Sequence, residues 1–78
     1  SKVLVYPNPF QNAFHIHLPE SEIHSSSVLI LNQEGIAVMR KNLLLSSTTF
    51  ELNYLPSGIY QLSIYGKQRI QHFKLIKM

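Results

Sequence analysis

The fold of this chain is decided by LPSGIYQLSIYGK, residues 55–67. In the centre of this stretch every second residue is apolar, and Tyr60, Leu62 and Ile64 alternate with polar neighbours. Side chains two residues apart lie on the same face of a β-strand, so this spacing gives one face to a core and the other to solvent. The stretch therefore predicts a half-buried β-strand over residues 58–65.

The turn before this strand has the composition of a tyrosine corner. In immunoglobulin-like sandwiches a tyrosine near the start of the penultimate strand bonds through its hydroxyl to the backbone just upstream. Here Pro56 and Gly58 shape the turn after Leu55, and Tyr60 falls on the core-facing side. We expect the Tyr60 hydroxyl to bond a backbone group within residues 53–57. The alternative is an ordinary core tyrosine.

Six further segments are apolar or alternating and are bounded by turn residues. Apolar residues nowhere keep the helical period of roughly 3.6 residues over a long stretch. Seven strands at about ten-residue spacing predict an all-β fold, a seven-stranded antiparallel β-sandwich with an immunoglobulin-like Greek key. The expected strands are 3–6, 13–18, 28–31, 36–39, 48–52, 58–65 and 68–76. The predicted core residues are Phe14, Ile16, Leu18, Ile30, Phe50, Leu52, Tyr60, Leu62, Ile64 and Phe73.

Turn residues predict two hairpins. Asn32 opens a short polar stretch that closes with Gly35, which is typical of a type I turn followed by a glycine bulge. Gly66 followed by Lys67 is typical of a type II′ turn, which has glycine at its first central position. Each turn would join two neighbouring antiparallel strands.

The last strand, expected over residues 68–76, breaks the regular alternation. Ile70 lies on one parity, whereas Phe73 and Leu75 lie on the other. A β-bulge near Gln71 would bring these apolar residues onto one face.

A stiff bend follows the first strand, in LVYPNPF, residues 4–10. Tyr6 and Asn8 each precede a proline, and clash with the proline ring keeps such residues out of the α region. Pro7 and Pro9 have no N–H, so they cannot donate a hydrogen bond to a neighbouring strand. We expect the bend to end the first strand at a sheet edge and to carry the chain to the second strand.

Composition limits the chemistry that the chain can perform. Its 78 residues suit one domain, with 45% hydrophobic and 14% charged residues and no cysteine. Aspartate is also absent, and the four glutamates fall in turns or on outer faces. The three glycines are isolated turn residues, so no phosphate-binding loop is present. The sequence therefore predicts a protein that is not an enzyme and needs no cofactor.

His15 and His17 are the one pair with metal-ligand spacing. Residues two apart on a strand share a face, and imidazole is a common zinc ligand. The alternative is the polar outer face of a half-buried strand, and two ligands do not complete a tetrahedral site. His24 and His72 have no spacing that adds them. We expect His15 and His17 to face solvent without a metal.

Basic residues gather near the end of the chain. Lys67, Arg69, Lys74 and Lys77 fall within its last twelve residues, and no acid follows Glu51. Such charge fits an anionic partner or a solvated face that keeps the domain soluble. Nucleic acid is not an expected partner, because the outward tyrosines are not interleaved with the basic cluster for base stacking.

Several segments taken in order carry a resemblance to a known family. They are VYPNPF at residues 5–10, VLILNQEGIAV at 28–38, LPSGIY at 55–60 and FKLIK at 73–77. Over residues 3–78 they resemble the type A C-terminal sorting domain of the type IX secretion system of Bacteroidota. The acid-rich turn that the family often shows is Asn32, Gln33 and Glu34 here, and Met78 follows the terminal lysine.

The resemblance implies a delivery tag without catalytic activity. Domains of this family end a larger secreted cargo protein, fold as a small sandwich in the periplasm and are recognised by an outer-membrane translocon. A sortase-like peptidase then commonly removes them, and the cargo is released or attached to the cell surface. Residues 1–78 are accordingly expected to be a single C-terminal sorting domain excised from a larger secreted protein.

The resemblance also places the recognition signal in the last strand. It implies that the translocon reads Lys74, Leu75, Ile76 and Lys77, of which we expect Leu75 to anchor the strand and the other three to face outward. The family's structural motifs correspond to Tyr6, Pro7, Asn8, Pro9, Leu55, Pro56, Gly58 and Tyr60. An alternative function is an immunoglobulin-like accessory module that binds carbohydrate or protein at the cell surface.

Overall fold

Seven strands make up the fold in this computed structural model, which describes residues 2–23 and 25–78. One three-residue 3₁₀ helix, Glu20–Glu22, precedes the third strand. The strands are β1 (Leu4–Tyr6), β2 (Ala13–His17), β3 (Ser26–Leu31), β4 (Ala37–Leu43), β5 (Ser47–Glu51), β6 (Gly58–Tyr65) and β7 (Ile70–Lys77). The described residues include no helix that is long and apolar enough to cross a membrane.

The strands form two antiparallel sheets, as the predicted fold class requires. The three-stranded sheet has the order β1-β2-β5, and the four-stranded sheet has the order β4-β3-β6-β7. The pairs β3–β4 and β6–β7 are hairpins, whereas the chain passes from one sheet to the other between β2 and β3 and again on each side of β5. Pairing of β2 with β5 and of β3 with β6 gives the non-sequential neighbours of an immunoglobulin-like Greek key.

The core lies between the sheets and matches the predicted parities closely. Nine of the ten predicted core residues are buried, and the tenth, Phe73, is only half-buried at the margin of the core. Phe73 points inward opposite Leu62, but it belongs to β7, an edge strand that no other full strand covers. Leu75, the expected anchor of the last strand, is also buried, and the other buried hydrophobic residues outside the predicted list are Val3, Phe10, Val28, Leu43 and Leu55.

The β3–β4 turn has the predicted form. The Gly35 N–H donates to the Asn32 carbonyl at 3.0 Å, and Gly35 has φ +82°, which a β-carbon would disfavour. The Asn32 side-chain oxygen also accepts from the N–H groups of Glu34 and Ile36, at 3.0 and 2.9 Å. A second irregularity lies further along the hairpin, where the pairing passes from Leu31–Ala37 to Ile30–Met39 and leaves Val38 as a β-bulge that the sequence analysis did not predict.

The prediction for the last hairpin was wrong in two details. Pairing of β6 with β7 is unbroken from Tyr65–Ile70 to Gly58–Lys77, so no bulge occurs near Gln71. Ile70 instead points outward and is 54% exposed. The connection is also not a type II′ turn with Gly66 at its first central position, because Gly66 lacks the positive φ that this position has. The Gly66 N–H donates to the Arg69 carbonyl at 2.8 Å, so the turn lies one residue later than predicted.

We expect Leu62→Ala to lower the free energy of unfolding by about 2–5 kcal/mol, because Leu62 is completely buried between Ile30 and Phe73 and truncation leaves a cavity. Chemical denaturation measures this loss. Ile59→Ala on the outer face of the same strand is the matched control, since Ile59 is 41% exposed. Equal losses for the two variants would contradict the assigned faces of β6.

Candidate functional site

The edge of β7 is covered by a segment from the start of the chain. The side-chain oxygen of Asn8 accepts from the Ile76 N–H at 3.0 Å, and its side-chain N–H₂ donates to the Lys74 carbonyl at 2.7 Å. One side-chain amide thus takes the place of a peptide group in a neighbouring strand.

Phe10 continues this pairing through its main chain. Its N–H donates to the Ile76 carbonyl at 2.9 Å, and its carbonyl accepts from the Met78 N–H at 2.8 Å. Phe10 thereby forms a parallel bridge with Lys77. We call residues 8–10 the edge clamp. It supplies the outer hydrogen bonds of β7 from the Lys74 carbonyl onward.

Local sequence explains why the chain takes this route. Pro7 and Pro9 offer no N–H, so β1 cannot continue as a regular paired strand. The Phe10 ring then enters the core, where it is 1% exposed and lies 5.0 Å from the Phe14 ring. Phe14 in turn stacks on Phe50 at 5.1 Å. Burial of Phe10 therefore holds the edge clamp against β7.

The four residues predicted to be read by a translocon do not form one exposed patch. Lys74 and Ile76 point outward, with Lys74 exposed and Ile76 half-buried. Leu75 is completely buried, as expected. Lys77 was expected to face outward but points inward and is 8% exposed, because the alternation of β7 is unbroken. Its amine donates to the Met78 carbonyl at 2.9 Å and lies 6.0 Å from the centre of the Phe10 ring.

The tyrosine corner is present. The Tyr60 hydroxyl donates to the Pro56 carbonyl at 2.6 Å, within the predicted segment. Tyr60 and Leu55 are both buried, whereas Pro56 is exposed. The corner ties the turn before β6 to the core beside the start of that strand, which begins at Gly58.

His15 and His17 lie on the outer face of the three-stranded sheet, where both are half-buried rather than freely exposed. The ring of exposed Tyr6 lies 5.4 Å from the His15 ring, and His15 Nδ1 is 2.9 Å from the Thr49 hydroxyl. No group of three or more histidine, aspartate or glutamate residues could hold a metal ion within the ranges that the structure describes. His24 lies outside those ranges.

One pair of polar residues was missed from the sequence. The Ser63 hydroxyl lies 2.8 Å from His72 Nδ1, and Ser63 is 1% exposed. The side-chain amide of Gln61 donates to the Ser63 hydroxyl at 3.3 Å. Among the described residues no carboxylate bonds to this pair, so it lacks the third member of a serine–histidine–acid triad. Ser63 and His72 are direct cross-strand partners, which the correct hairpin register would have predicted.

Comparison with protein families identifies the chain. A sequence model of the secretion system C-terminal sorting domain matches residues 4–78, nearly the whole length. This chain belongs to that family. Its members are type IX secretion sorting domains, so the resemblance described above is confirmed. The family is noncatalytic in general, and a sorting domain of this kind implies a secreted or cell-surface cargo protein.

A solved structure with a similar fold comes from the same secretion system. It is PorZ, an essential bacterial surface component of the type IX secretion system of Porphyromonas gingivalis. The superposition has a TM-score of 0.76 at 18% sequence identity and covers 97% of the sorting domain but 11% of PorZ. At this identity the likeness supports the sandwich fold. Comparison with curated protein sequences gave no match.

Asn8→Ala is expected to lower the free energy of unfolding of the sorting domain by about 1 kcal/mol, because it removes two solvent-exposed hydrogen bonds to β7. The Ile76 amide should also exchange faster with deuterium, since its acceptor is gone. Amide exchange followed by NMR measures both effects. Asn42→Ala is the control, because exposed Asn42 makes no side-chain hydrogen bond to the described residues. An unchanged Ile76 exchange rate would contradict the clamp.

Tyr60→Phe should lower the free energy of unfolding by about 0.5–1.5 kcal/mol, because the ring stays buried while the bond to Pro56 is lost. Tyr54→Phe serves as the control, since Tyr54 is 67% exposed. Urea denaturation compares the two variants. If their midpoints coincide, the corner contributes nothing to stability.

Proposed function

We propose that this sorting domain ends a larger protein and directs that cargo across the outer membrane through the type IX translocon. The observation that carries the proposal is the family match over residues 4–78, which covers the sandwich from its first strand to its last. On this proposal residues 1–78 act as one noncatalytic unit. The domain folds in the periplasm, and the cargo ends at the cell surface or in the medium.

The geometry of β7 limits how a translocon could contact residues 74–77. The main chain of these residues is bonded on one side by β6 and on the other by Asn8 and Phe10. Strand addition at this part of the edge would first require the edge clamp to leave. While the clamp is in place, a translocon would contact the outward side chains of Lys74 and Ile76. Leu75 and Lys77 would act indirectly, by fixing the position of the strand.

Removal by a sortase-like peptidase is part of the same proposal. The edge clamp ties the start of the domain to β7, so a cut before residue 4 would leave every strand of the sandwich intact. The peptidase would thus separate cargo from tag without unfolding the tag. An immunoglobulin-like accessory module with the same fold would require neither export nor cleavage.

Reversing the charge of Lys74 tests whether this side chain is part of the export signal. A secreted reporter fused ahead of the chain is expressed in a bacterium that has a type IX system, and its amounts at the surface and in the periplasm are compared. Lys74→Glu should trap the reporter in the periplasm, because reversing an exposed cation removes its attraction to an anionic site. The variant should still fold, since exposed substitutions usually change stability by less than about 0.5 kcal/mol.

The matched control is Lys41→Glu, an equal charge change at an exposed site on β4. It should be exported as well as the parent. Export of the Lys74 variant at the parent's level would exclude that charge as the signal. A parent fusion that never leaves the periplasm would overturn the sorting function itself and favour the accessory module. Deleting the last residues is a poorer test, because Leu75 and Lys77 are buried parts of the fold.

A further inference from the structure

The edge of β7 is covered along only half of its length. The main-chain N–H and carbonyl of Ile76 both bond to the edge clamp. Main-chain direction alternates along a strand, so the N–H and carbonyl groups of all even-numbered residues of β7 point away from β6. The main-chain groups of Ile70 and His72 therefore point to the same open side. Within residues 2–23 and 25–78 these groups, and the Lys74 N–H, have no hydrogen-bond partner. We call this part of the strand, residues 70–74, the open half.

The open half also leaves a gap on the inner side of the sheet. Phe73 points toward the core yet stays half-buried, whereas Leu75, flanked by the residues that the clamp bonds, is completely buried. Because both residues belong to the same strand and the same face, their difference in burial reflects the edge clamp, which lies beside Leu75 and not beside Phe73. An extended segment placed next to the open half would cover the exposed part of the Phe73 ring.

The outer side of the same sheet is apolar and basic. Directly paired residues share a face, so Leu29 and Arg40 lie on the outer side with Ser63, and Leu31 lies there with Gln61. The pairs of β6 with β7 extend this face to His72 and Lys74. No acidic residue occupies any of the paired outer positions of this sheet. Six of those positions are occupied by Leu29, Leu31, Ile59, Tyr65, Ile70 and Ile76, an unusual load for a solvent-facing sheet.

A cleft of about 420 Å³ lies on this outer face where the β3–β4 turn begins. Ile59, Gln61, His72 and Lys74 line it, together with the turn residue Asn32. The bond between Ser63 and His72 Nδ1 holds the imidazole in place, and Nε2 makes no hydrogen bond to the described residues. An ammonium, an imidazole and an amide can each donate a hydrogen bond to a carboxylate, and the apolar side chains beside them suit a ligand that is otherwise apolar.

We propose that the open half of β7 binds an extended segment of a partner protein by strand addition, and that acidic and apolar residues alternate in this segment. Successive side chains of a strand point to opposite faces. The carboxylates would lie beside Lys74 and His72 on the outer face, and the apolar side chains would cover Phe73 on the inner face. Main-chain bonds to Ile70 and His72 would supply the rest of the interface. The proposal does not rest on a role in export.

Two other occupants fit these observations less well. A second copy paired edge to edge would bring Lys74 and His72 toward their own counterparts, with no carboxylate at the paired outer positions to offset the charge. An anionic lipid surface would satisfy Lys74 but would leave the open main-chain groups of β7 without partners in register. A peptide segment satisfies both requirements.

The test is an NMR titration of the ¹⁵N-labelled 78-residue chain with a synthetic peptide of about seven residues, alternating Glu and Val. Signals from the Ile70 and His72 amides should move, and these amides should become protected from exchange with deuterium. The Ile76 amide should stay bonded to Asn8. Lys74→Glu should weaken binding roughly tenfold, Lys41→Glu should bind like the parent, and added salt should reduce the affinity.

Several results would overturn the proposal. One is equal binding of a peptide that alternates Lys and Val, and another is a set of shifts confined to the β4 edge, Ala37–Leu43. Shifts at β7 that grow with protein concentration alone would assign the edge to self-association. Shifts produced by phosphatidylglycerol vesicles and not by the peptide would assign the face to a membrane. A titration without any shift would exclude the site.

Discussion

The hydrogen bonds of one side-chain amide join the two ends of this molecule. Asn8 lies 66 and 68 residues from its partners Lys74 and Ile76, and the main-chain bonds of Phe10 to Ile76 and Met78 span equally long stretches of sequence. The three-stranded sheet contains the first strand and the four-stranded sheet contains the last, so the clamp links the two layers along one margin. In a chain of this size, which buries a modest share of its surface, such a link matters more than in a larger domain.

The clamp and the unbroken alternation of β7 together decide what the end of the chain presents to other molecules. In the sequence residues 74–77 look like one continuous signal. In the strand the side chains alternate, so Lys74 and Ile76 lie on the outer face and Leu75 and Lys77 lie on the inner face. The clamp then occupies the main chain of the same residues. Side chains on a fully bonded main chain therefore lie toward the end of β7, whereas open main-chain groups lie toward its start.

Most of the fold followed from parity and turn chemistry, and the errors have identifiable causes. Tyr60, Leu62 and Ile64 were placed correctly because the residues between them, Gln61 and Ser63, are polar. Asn32 and Gly35 define their turn through local bonds. Ile70 misled the reading of the last strand, because an apolar residue on the outer face looks like a core residue out of phase. Lys77 points inward because of the register between β6 and β7. Without that register a lysine is expected at the surface, so the sequence alone placed it outward. The bonds of Asn8 to β7 connect residues too far apart for any local pattern to show them.

The parallel bridge between Phe10 and Lys77 also gives the domain a direction of mechanical strength. A pulling force between the two ends of the chain would act along this bridge, because Asn8 and Phe10 run beside β7 in the same sense. The four clamp hydrogen bonds would then carry the load together in shear, whereas bonds between antiparallel neighbours pulled from one end break one after another. A domain tethered through its start and held by its last strand would be loaded at β1 and then at the clamp, where the buried Phe10 ring is the anchor in the core.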